Sequence, residues 1–221
     1  MAQRLIVEGN DAIVLAVLCQ KWGLLPPVGY ESEIKFKNEF VKNSGGYTKA
    51  LFILEQSLAD SNLTNIGIIV DANDAGPLAR WQAIRGILAK KYTEASLLQA
   101  DQMQGAKIVL EEKMATVGVW IMPDNVRNGY LEHFLADLVP EKDALWAHSV
   151  EVIDNLQKQS FCELTLPKMG KATLHTWLAW KKEPGKPFGQ ALESRYFDAN
   201  APSVEPYLAW FSTTFDLGIA G

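Results

Sequence analysis

The sequence has few of the residues that build metal or disulfide sites from sulfur and nitrogen. It contains two cysteines, Cys19 and Cys162, and three histidines among 221 residues. Neither cysteine belongs to a CxxC motif, and the histidines lack HxxxH and HExxH spacing, which excludes the common zinc and metalloprotease signatures. A bound metal ion would therefore be held by oxygen.

Long apolar runs and an excess of positive charge are also missing. The stretch from Ala12 to Cys19 is eight residues long, whereas a membrane span needs about 20. Glu8 and Asp11 interrupt any signal-peptide core near the start. The net charge of −5 is unlike that of a polycation that binds nucleic acid nonspecifically. We expect a cytoplasmic protein that has no membrane partner.

What is present is the composition of a globular protein with one domain, or one domain and an appendage. Hydrophobic residues make up 48% of the chain and charged residues 21%, which excludes a disordered chain. Three short runs rich in β-branched residues predict buried strands of a mostly parallel sheet. They are Leu5–Val7, Ile66–Val70 and Val117–Met122.

Helical patterns separate these runs, as in βαβ units, and therefore predict an α/β fold. The predicted helices cover residues 12–22, a segment after Gly45 and Gly46, and a segment that begins near Pro77. Beyond Pro140, helices dominate at about 142–158, 167–182 and 203–215. We therefore predict an α/β domain at residues 1–140 and a helical extension at 141–221 that packs on it.

Each of the three predicted strands is followed by an acidic residue. These residues are Glu8, Asp71 and Asp124. Because the carboxyl ends of parallel strands share one edge of a sheet, we expect the three carboxylates to converge. Converging carboxylates favour a hard cation such as Mg²⁺ or Mn²⁺. The alternative is that each acid caps the helix that follows its strand.

Two segments that contain these acids resemble the TOPRIM fold of topoisomerases, bacterial primases and OLD-family nucleases. Leu5–Asp11 reads LIVEGND and Ile68–Asp74 reads IIVDAND. The chain is most similar to small TOPRIM-like proteins of uncharacterised function, which share an arginine-tryptophan helix start, here Arg80-Trp81-Gln82, and a later acidic motif. That motif corresponds to Met122–Asn125 and Gly129–Glu132. The resemblance covers about residues 4 to 140.

The resemblance implies a TOPRIM-like, Rossmann-like sheet and an oxygen-ligated metal site. Glu8 would act as general acid/base or first metal ligand, and Asp71 as a direct ligand. The family's second aspartate falls on Asn73, so either the loop turns Asp74 inward to replace it or the affinity for metal is reduced. Asp124 and Glu132 would supply a second metal site.

Two basic features are candidates for binding phosphate. Gly45 and Gly46 open a helix that carries Lys49, which could neutralise charge on a phosphate. The alternative is a glycine turn with a solvated lysine. On the helix predicted at 167–182, Lys168, Lys171 and Lys182 fall on one basic face that would suit a nucleic-acid backbone. The alternative there is an ordinary solvated face.

Three functions follow from these features. The first is a Mg²⁺-dependent or Mn²⁺-dependent nuclease, or nuclease-like component, that acts on nucleic-acid phosphodiesters. The second is a TOPRIM-fold binding or regulatory module without turnover, which Asn73 favours. The third is a phosphotransfer receiver or phosphatase that uses Asp71. Nucleic acid is the expected partner, and the sequence leaves open whether the chain is an enzyme, binds another protein or forms a homo-oligomer.

Overall fold

A computed structural model describes residues 2–9, Val14, Leu18, Lys21 and 40–217. It contains five strands, in the order β1 Ala2–Val7, β2 Val41–Asn43, β3 Leu63–Asp71, β4 Lys107–Val109 and β5 Thr116–Met122. The predicted helix at 12–22, and with it Cys19, lies outside the described residues apart from Val14, Leu18 and Lys21.

Eight α-helices are described. They are α1 Tyr47–Leu58, α2 Gly76–Leu88, α3 Glu94–Gln102, α4 Leu131–Ala136, α5 Ala144–Gln157, α6 Met169–Ala179, α7 Phe188–Glu193 and α8 Val204–Phe215. A 3-10 turn at Leu166–Lys168 precedes α6. None of the helices described here is long and apolar enough to cross a lipid bilayer.

The strands form one mixed sheet in the order β2-β1-β3-β5-β4. The four strands β2, β1, β3 and β5 are parallel to one another, and β4 runs antiparallel to β5. The prediction of an α/β fold with a mostly parallel sheet flanked by helices is confirmed. The edge strands β2 and β4, each three residues long, were not predicted.

Both faces of the sheet are covered, which explains why its strands are apolar runs without alternation. Alternate strand residues face opposite layers. Ile68 and Val119 pack with α1, α2 and α3 on one face. Ile69 and Trp120 pack on the other face with the helices that follow β5, including α8.

Two paired glycines let α8 approach the sheet closely. Gly67 on β3 lies beside Gly118 on β5. A Cβ atom on Gly67 would lie 2.6 Å from the Phe215 ring, and one on Gly118 would lie 1.9 Å from Thr214 Oγ1. The absence of side chains at both positions therefore creates the space in which the end of α8 packs.

Candidate functional site

The carboxyl ends of β1, β3 and β5 lie side by side, in the arrangement expected from the sequence. Glu8 follows β1, Asp71 ends β3, and Asp124 comes two residues after β5. Asp71 pairs in register with Met122, so these two strand ends are directly adjacent. This edge of the sheet is where open α/β sheets bind ligands.

Glu8 connects the first two strand ends to the glycine turn. Its carboxylate Oε2 accepts a hydrogen bond from the backbone N–H of Asp71 at 3.0 Å. Its carbonyl oxygen accepts from the backbone N–H of Gly46 at 2.9 Å and from the Ser44 hydroxyl at 3.3 Å. The structure therefore brings Glu8, Asp71 and the Gly45-Gly46 turn together.

The glycine turn has a backbone that other residues adopt only with strain. Gly45 has a φ of 67° and Gly46 a φ of 141°, and both would leave open space around an added Cβ atom. Backbone conformation, and not crowding, therefore favours glycine at these positions. Lys49 lies in the first turn of α1 and is exposed.

A cation that we did not predict as a site residue lies at the same edge. Arg80 Nε donates to the carbonyl oxygen of Asp71 at 3.0 Å, and its guanidinium carbon lies 3.9 Å from the centroid of the Tyr47 ring. The sequence signal was available, because Arg80 stands beside Trp81 in a helix that begins five residues after Asp71. The sequence does not show, however, that α1 packs against α2. This packing places the Arg80 guanidinium beside the end of β3.

Asn73 joins the loop after β3 to the loop after β5. Its backbone N–H donates to the carbonyl oxygen of Gly129 at 2.7 Å, and its φ is 49°. Asparagine tolerates this left-handed conformation better than most residues do. Asp74, which would have to turn inward to replace the missing aspartate, is exposed.

Asp124 is engaged within its own loop. Its Oδ1 accepts from the backbone N–H groups of Val126 at 3.0 Å and Arg127 at 2.8 Å, and its Oδ2 pairs with the Arg127 guanidinium at 2.5 Å. Burial opposes ionisation of Asp124, but the hydrogen bonds from Arg127 and Val126 outweigh it and hold the pKa below its ordinary value. The carboxylate therefore stabilises the turn after β5.

Glu132 lies buried at the start of α4. Its Oε1 is 2.7 Å from Lys171 Nζ on α6. Nearby, the Tyr130 hydroxyl donates to the carbonyl oxygen of Pro167 at 2.6 Å. Burial raises the pKa of Tyr130, and the negative charges of Glu132 and Asp71 raise it further. Tyr130 thus lies within electrostatic range of both acids.

The three predicted basic residues do not share one helix. Lys171 lies on α6, whereas Lys168 belongs to the 3-10 turn before it. Lys182 follows the end of α6 at Ala179, so the predicted helix over 167–182 is too long at both ends. Lys168 and Lys182 are exposed, and Lys171 forms an ion pair with Glu132.

The described residues hold no group of three or more histidine, cysteine, aspartate and glutamate side chains that could bind a metal ion. The three carboxylates were expected to converge, but Asp124 instead forms an ion pair with Arg127 in its own loop. Glu8 and Asp71 lie on neighbouring strand ends, where the Glu8 carboxylate accepts from the backbone N–H of Asp71. Two carboxylates fit Mg²⁺ when substrate phosphate supplies further ligands.

Comparison with known proteins gives one match. Neither a curated protein nor a solved structure matches the chain. A family model described as "Protein of unknown function (DUF3226)" matches residues 2–216, which include every strand and helix above. The chain belongs to the DUF3226 family.

Proposed function

We propose that this chain is a TOPRIM-like protein that binds Mg²⁺ or Mn²⁺ together with nucleic acid and acts on phosphodiester bonds. The observation that carries the proposal is the hydrogen bond from the Asp71 N–H to the Glu8 carboxylate. It holds the Glu8 carboxylate at the end of β3, where Asp71 lies. The metal ion would stabilise negative charge that develops on the phosphate.

Phosphate is part of the proposed binding site. Mg²⁺ is commonly held by one or two carboxylates together with substrate phosphates. Glu8 and Asp71 provide two carboxylates, so the protein alone should bind the ion weakly and nucleic acid should strengthen the binding. Arg80, whose Nε is 3.0 Å from the Asp71 carbonyl oxygen, places a positive charge where a phosphate would approach.

The remaining lysines have secondary roles in this proposal. Lys49 lies one helical turn from Gly46, on the exposed side of the same edge. Lys168 and Lys182 are exposed and would contact the nucleic-acid backbone away from the reacting bond. Lys171 would keep Glu132 in place and not bind phosphate, because the two side chains already form an ion pair.

The second candidate is a binding or regulatory module without turnover. Asn73 favours it, since an amide replaces the family's second aspartate and the backbone N–H of Asn73 is bound to Gly129. Asp124 favours it as well, because its oxygens are occupied by Arg127. In this candidate the sheet edge recognises phosphate with Arg80 and the glycine turn but cleaves nothing.

Calorimetric titration with Mn²⁺, in the presence and absence of a single-stranded DNA oligonucleotide, tests the leading proposal. We expect the oligonucleotide to tighten Mn²⁺ binding by at least about tenfold, which is roughly 1.4 kcal/mol. Glu8→Gln and Asp71→Asn should abolish this gain. Glu112→Gln is the matched control, because the Glu112 side chain is 88% exposed and pairs with the equally exposed Lys113.

Two further measurements separate the candidates. Metal-dependent cleavage of labelled DNA or RNA that Glu8→Gln abolishes supports the enzyme. Oligonucleotide binding without cleavage, together with cleavage gained in Asn73→Asp, supports the module. Mn²⁺ binding that neither Glu8→Gln nor Asp71→Asn reduces contradicts the site altogether. An acyl-phosphate on Asp71 after treatment with a small phosphodonor would instead support the phosphotransfer receiver.

A further inference from the structure

A cavity of about 660 Å³ lies between α2, the segment that joins α3 to β4, and the loop after β5. Its volume falls within the range of about 300–1,000 Å³ that is typical of small-molecule sites. The buried side chains of Trp81 and Ile121 line it, and both are at most 5% exposed. The cavity therefore has apolar walls that continue into the core.

One wall of the cavity is a single face of α2. Leu78, Trp81, Gln82 and Arg85 line the cavity, and their spacing of i, i+3, i+4 and i+7 places them on one side of a helix. Arg80 lies on a different side of α2 and reaches Asp71. The helix thus presents one face to the cavity and another to the candidate phosphate site.

Large apolar side chains stand exposed around the cavity. Leu78 is 68% exposed, Val126 73% and Met103 38%. They come from three separate segments, so the exposure is not a property of one loose loop. Apolar surface gathered around a concave site marks a place where a ligand or partner is bound.

The charged groups of the cavity are already paired. Arg85 forms ion pairs with Glu94 and Asp101, and Trp81 Nε1 donates to Asp101 at 2.7 Å. Lys107 Nζ donates to the carbonyl oxygen of Met103. Because these cations are engaged within the protein, the cavity favours an uncharged ligand over phosphate.

Two primary amides supply the hydrogen bonds that remain. Gln82 and Gln104 line the cavity and are exposed, and within the described part of the chain neither amide is used in a hydrogen bond. A carboxamide offers a donor and an acceptor side by side, and glutamine pairs in this way with the edge of adenine. Amides beside apolar walls suit a flat heterocycle that forms hydrogen bonds along its edge.

The cavity adjoins the carboxyl end of β5, next to the strand end that carries Asp71. Ile121 precedes Met122, the register partner of Asp71, and Asn125 and Val126 belong to the loop after β5. The ends of β3 and β5 are one strand spacing apart, about 4.8 Å, so a chain of nucleotides whose phosphate lay at Asp71 reaches the residues that line this cavity. Bases taken out of a stack are held between aromatic or apolar side chains and are recognised by hydrogen bonds along their edge.

We infer that the cavity between α2, the α3-β4 segment and the loop after β5 binds an unstacked adenine base of a single-stranded nucleic acid. The adenine ring packs between Leu78, Met103 and Val126, and its edge pairs with Gln82 or Gln104. That the base belongs to a nucleic-acid strand rests on the proposed function, because the phosphates of that nucleic acid are the ones assigned to the sheet edge. Recognition of the base itself needs no metal ion.

The test follows the indole N–H signal of Trp81 by NMR while adenosine is added in the presence of EDTA. Trp81→Phe identifies the signal. We expect adenosine to shift it in a saturable manner, and cytidine and uridine to bind at least about tenfold more weakly. Leu78→Glu should abolish the shift, because it places a carboxylate at the mouth, while Leu98→Glu should leave it unchanged. Leu98 is 50% exposed on α3 and does not line the cavity.

A second arm of the test replaces adenosine by oligodeoxyadenylate. If oligodeoxyadenylate binds more tightly than adenosine, and Leu78→Glu abolishes that binding, the occupant is a nucleic-acid strand. If the two ligands bind with equal affinity, the proposal that the base belongs to a strand is overturned. No shift with adenosine up to its solubility overturns the base site, even if Mn²⁺-dependent cleavage is found. Adenosine binding without Mn²⁺ binding supports the base site and contradicts the proposed function, so the two failures are distinguishable.

Discussion

Replacing Gly118 by alanine should strongly destabilise the protein, because the new methyl group would enter space that α8 occupies. The added Cβ would lie 1.9 Å from Thr214 Oγ1, 2.6 Å from Cγ2 and 2.7 Å from Cβ. Rotating the Thr214 side chain cannot relieve the last contact, so α8 must move away from the sheet. Overpacking of this kind costs about 1–3 kcal/mol, and the backbone-linked clash places Gly118→Ala near the upper end.

Urea unfolding followed by circular dichroism measures this cost. With an m-value of about 3 kcal/mol/M, a loss of about 3 kcal/mol lowers the midpoint by about 1 M. Gly86→Ala is the matched control, because Gly86 lies inside α2 and, outside the backbone of that helix, no atom of the described residues comes within 4 Å of an added Cβ. Alanine there should stabilise the protein by about 0.5–1 kcal/mol.

Thr214→Ala provides a test of the mechanism. Thr214 Oγ1 is buried and has no hydrogen-bond partner among the residues described, so its removal alone should cost little. Combined with Gly118→Ala it should restore part of the lost stability, since the Cβ contact at 2.7 Å remains. If Gly118→Ala is as stable as the wild type, or if Thr214→Ala gives no rescue, the close packing of α8 on β5 is refuted.

Two further predictions concern ionisable side chains. Lys171→Met should lower the free energy of unfolding by about 1–3 kcal/mol, because it leaves the buried Glu132 carboxylate without the Lys171 ammonium group. The control is Lys168→Met at an exposed site, which should change the free energy of unfolding by less than about 0.5 kcal/mol. Burial first, and then the charge of Arg127, lowers the pKa of His133 below 6.5, so the unfolded state binds the extra proton and stability should fall as the pH drops below 6.5. His133→Asn should flatten this part of a plot of urea midpoint against pH, and an unchanged slope would contradict the assignment.

Much of the fold could be predicted because its signals are local. The three β-branched runs became the central strands, and the 3.6-residue period predicted α1 and α2 where the structure has them. The helices predicted at 142–158 and 203–215 agree with α5 and α8 to within two residues at each end. The edge strands Val41–Asn43 and Lys107–Val109 were missed because three residues carry no periodicity. Such strands form only through pairing with β1 and β5, and that pairing depends on the tertiary structure.

The candidate site was predictable in part for a similar reason. Parallel strands bring their ends together, so the proximity of Glu8 and Asp71 followed from the pattern. The behaviour of Asp124 did not follow, because Arg127 and two backbone N–H groups compete for its oxygens over a distance of three residues. Arg80 was missed as a site residue because its position depends on Tyr47, which is 33 residues away in the sequence.

The packing of α8 on the sheet also governs the order in which this molecule can fold during synthesis. Gln3 Nε2 on β1 donates to the carbonyl oxygen of Phe215 at 3.0 Å, a contact between residues 212 apart in the chain. Contacts of such separation slow folding, since a long loop must close before they form. The part of this sheet face that α8 covers, where Trp120 packs against Tyr207 and Trp210, therefore stays uncovered until residue 215 has been synthesised. During that interval this apolar surface is open to chaperones and to aggregation.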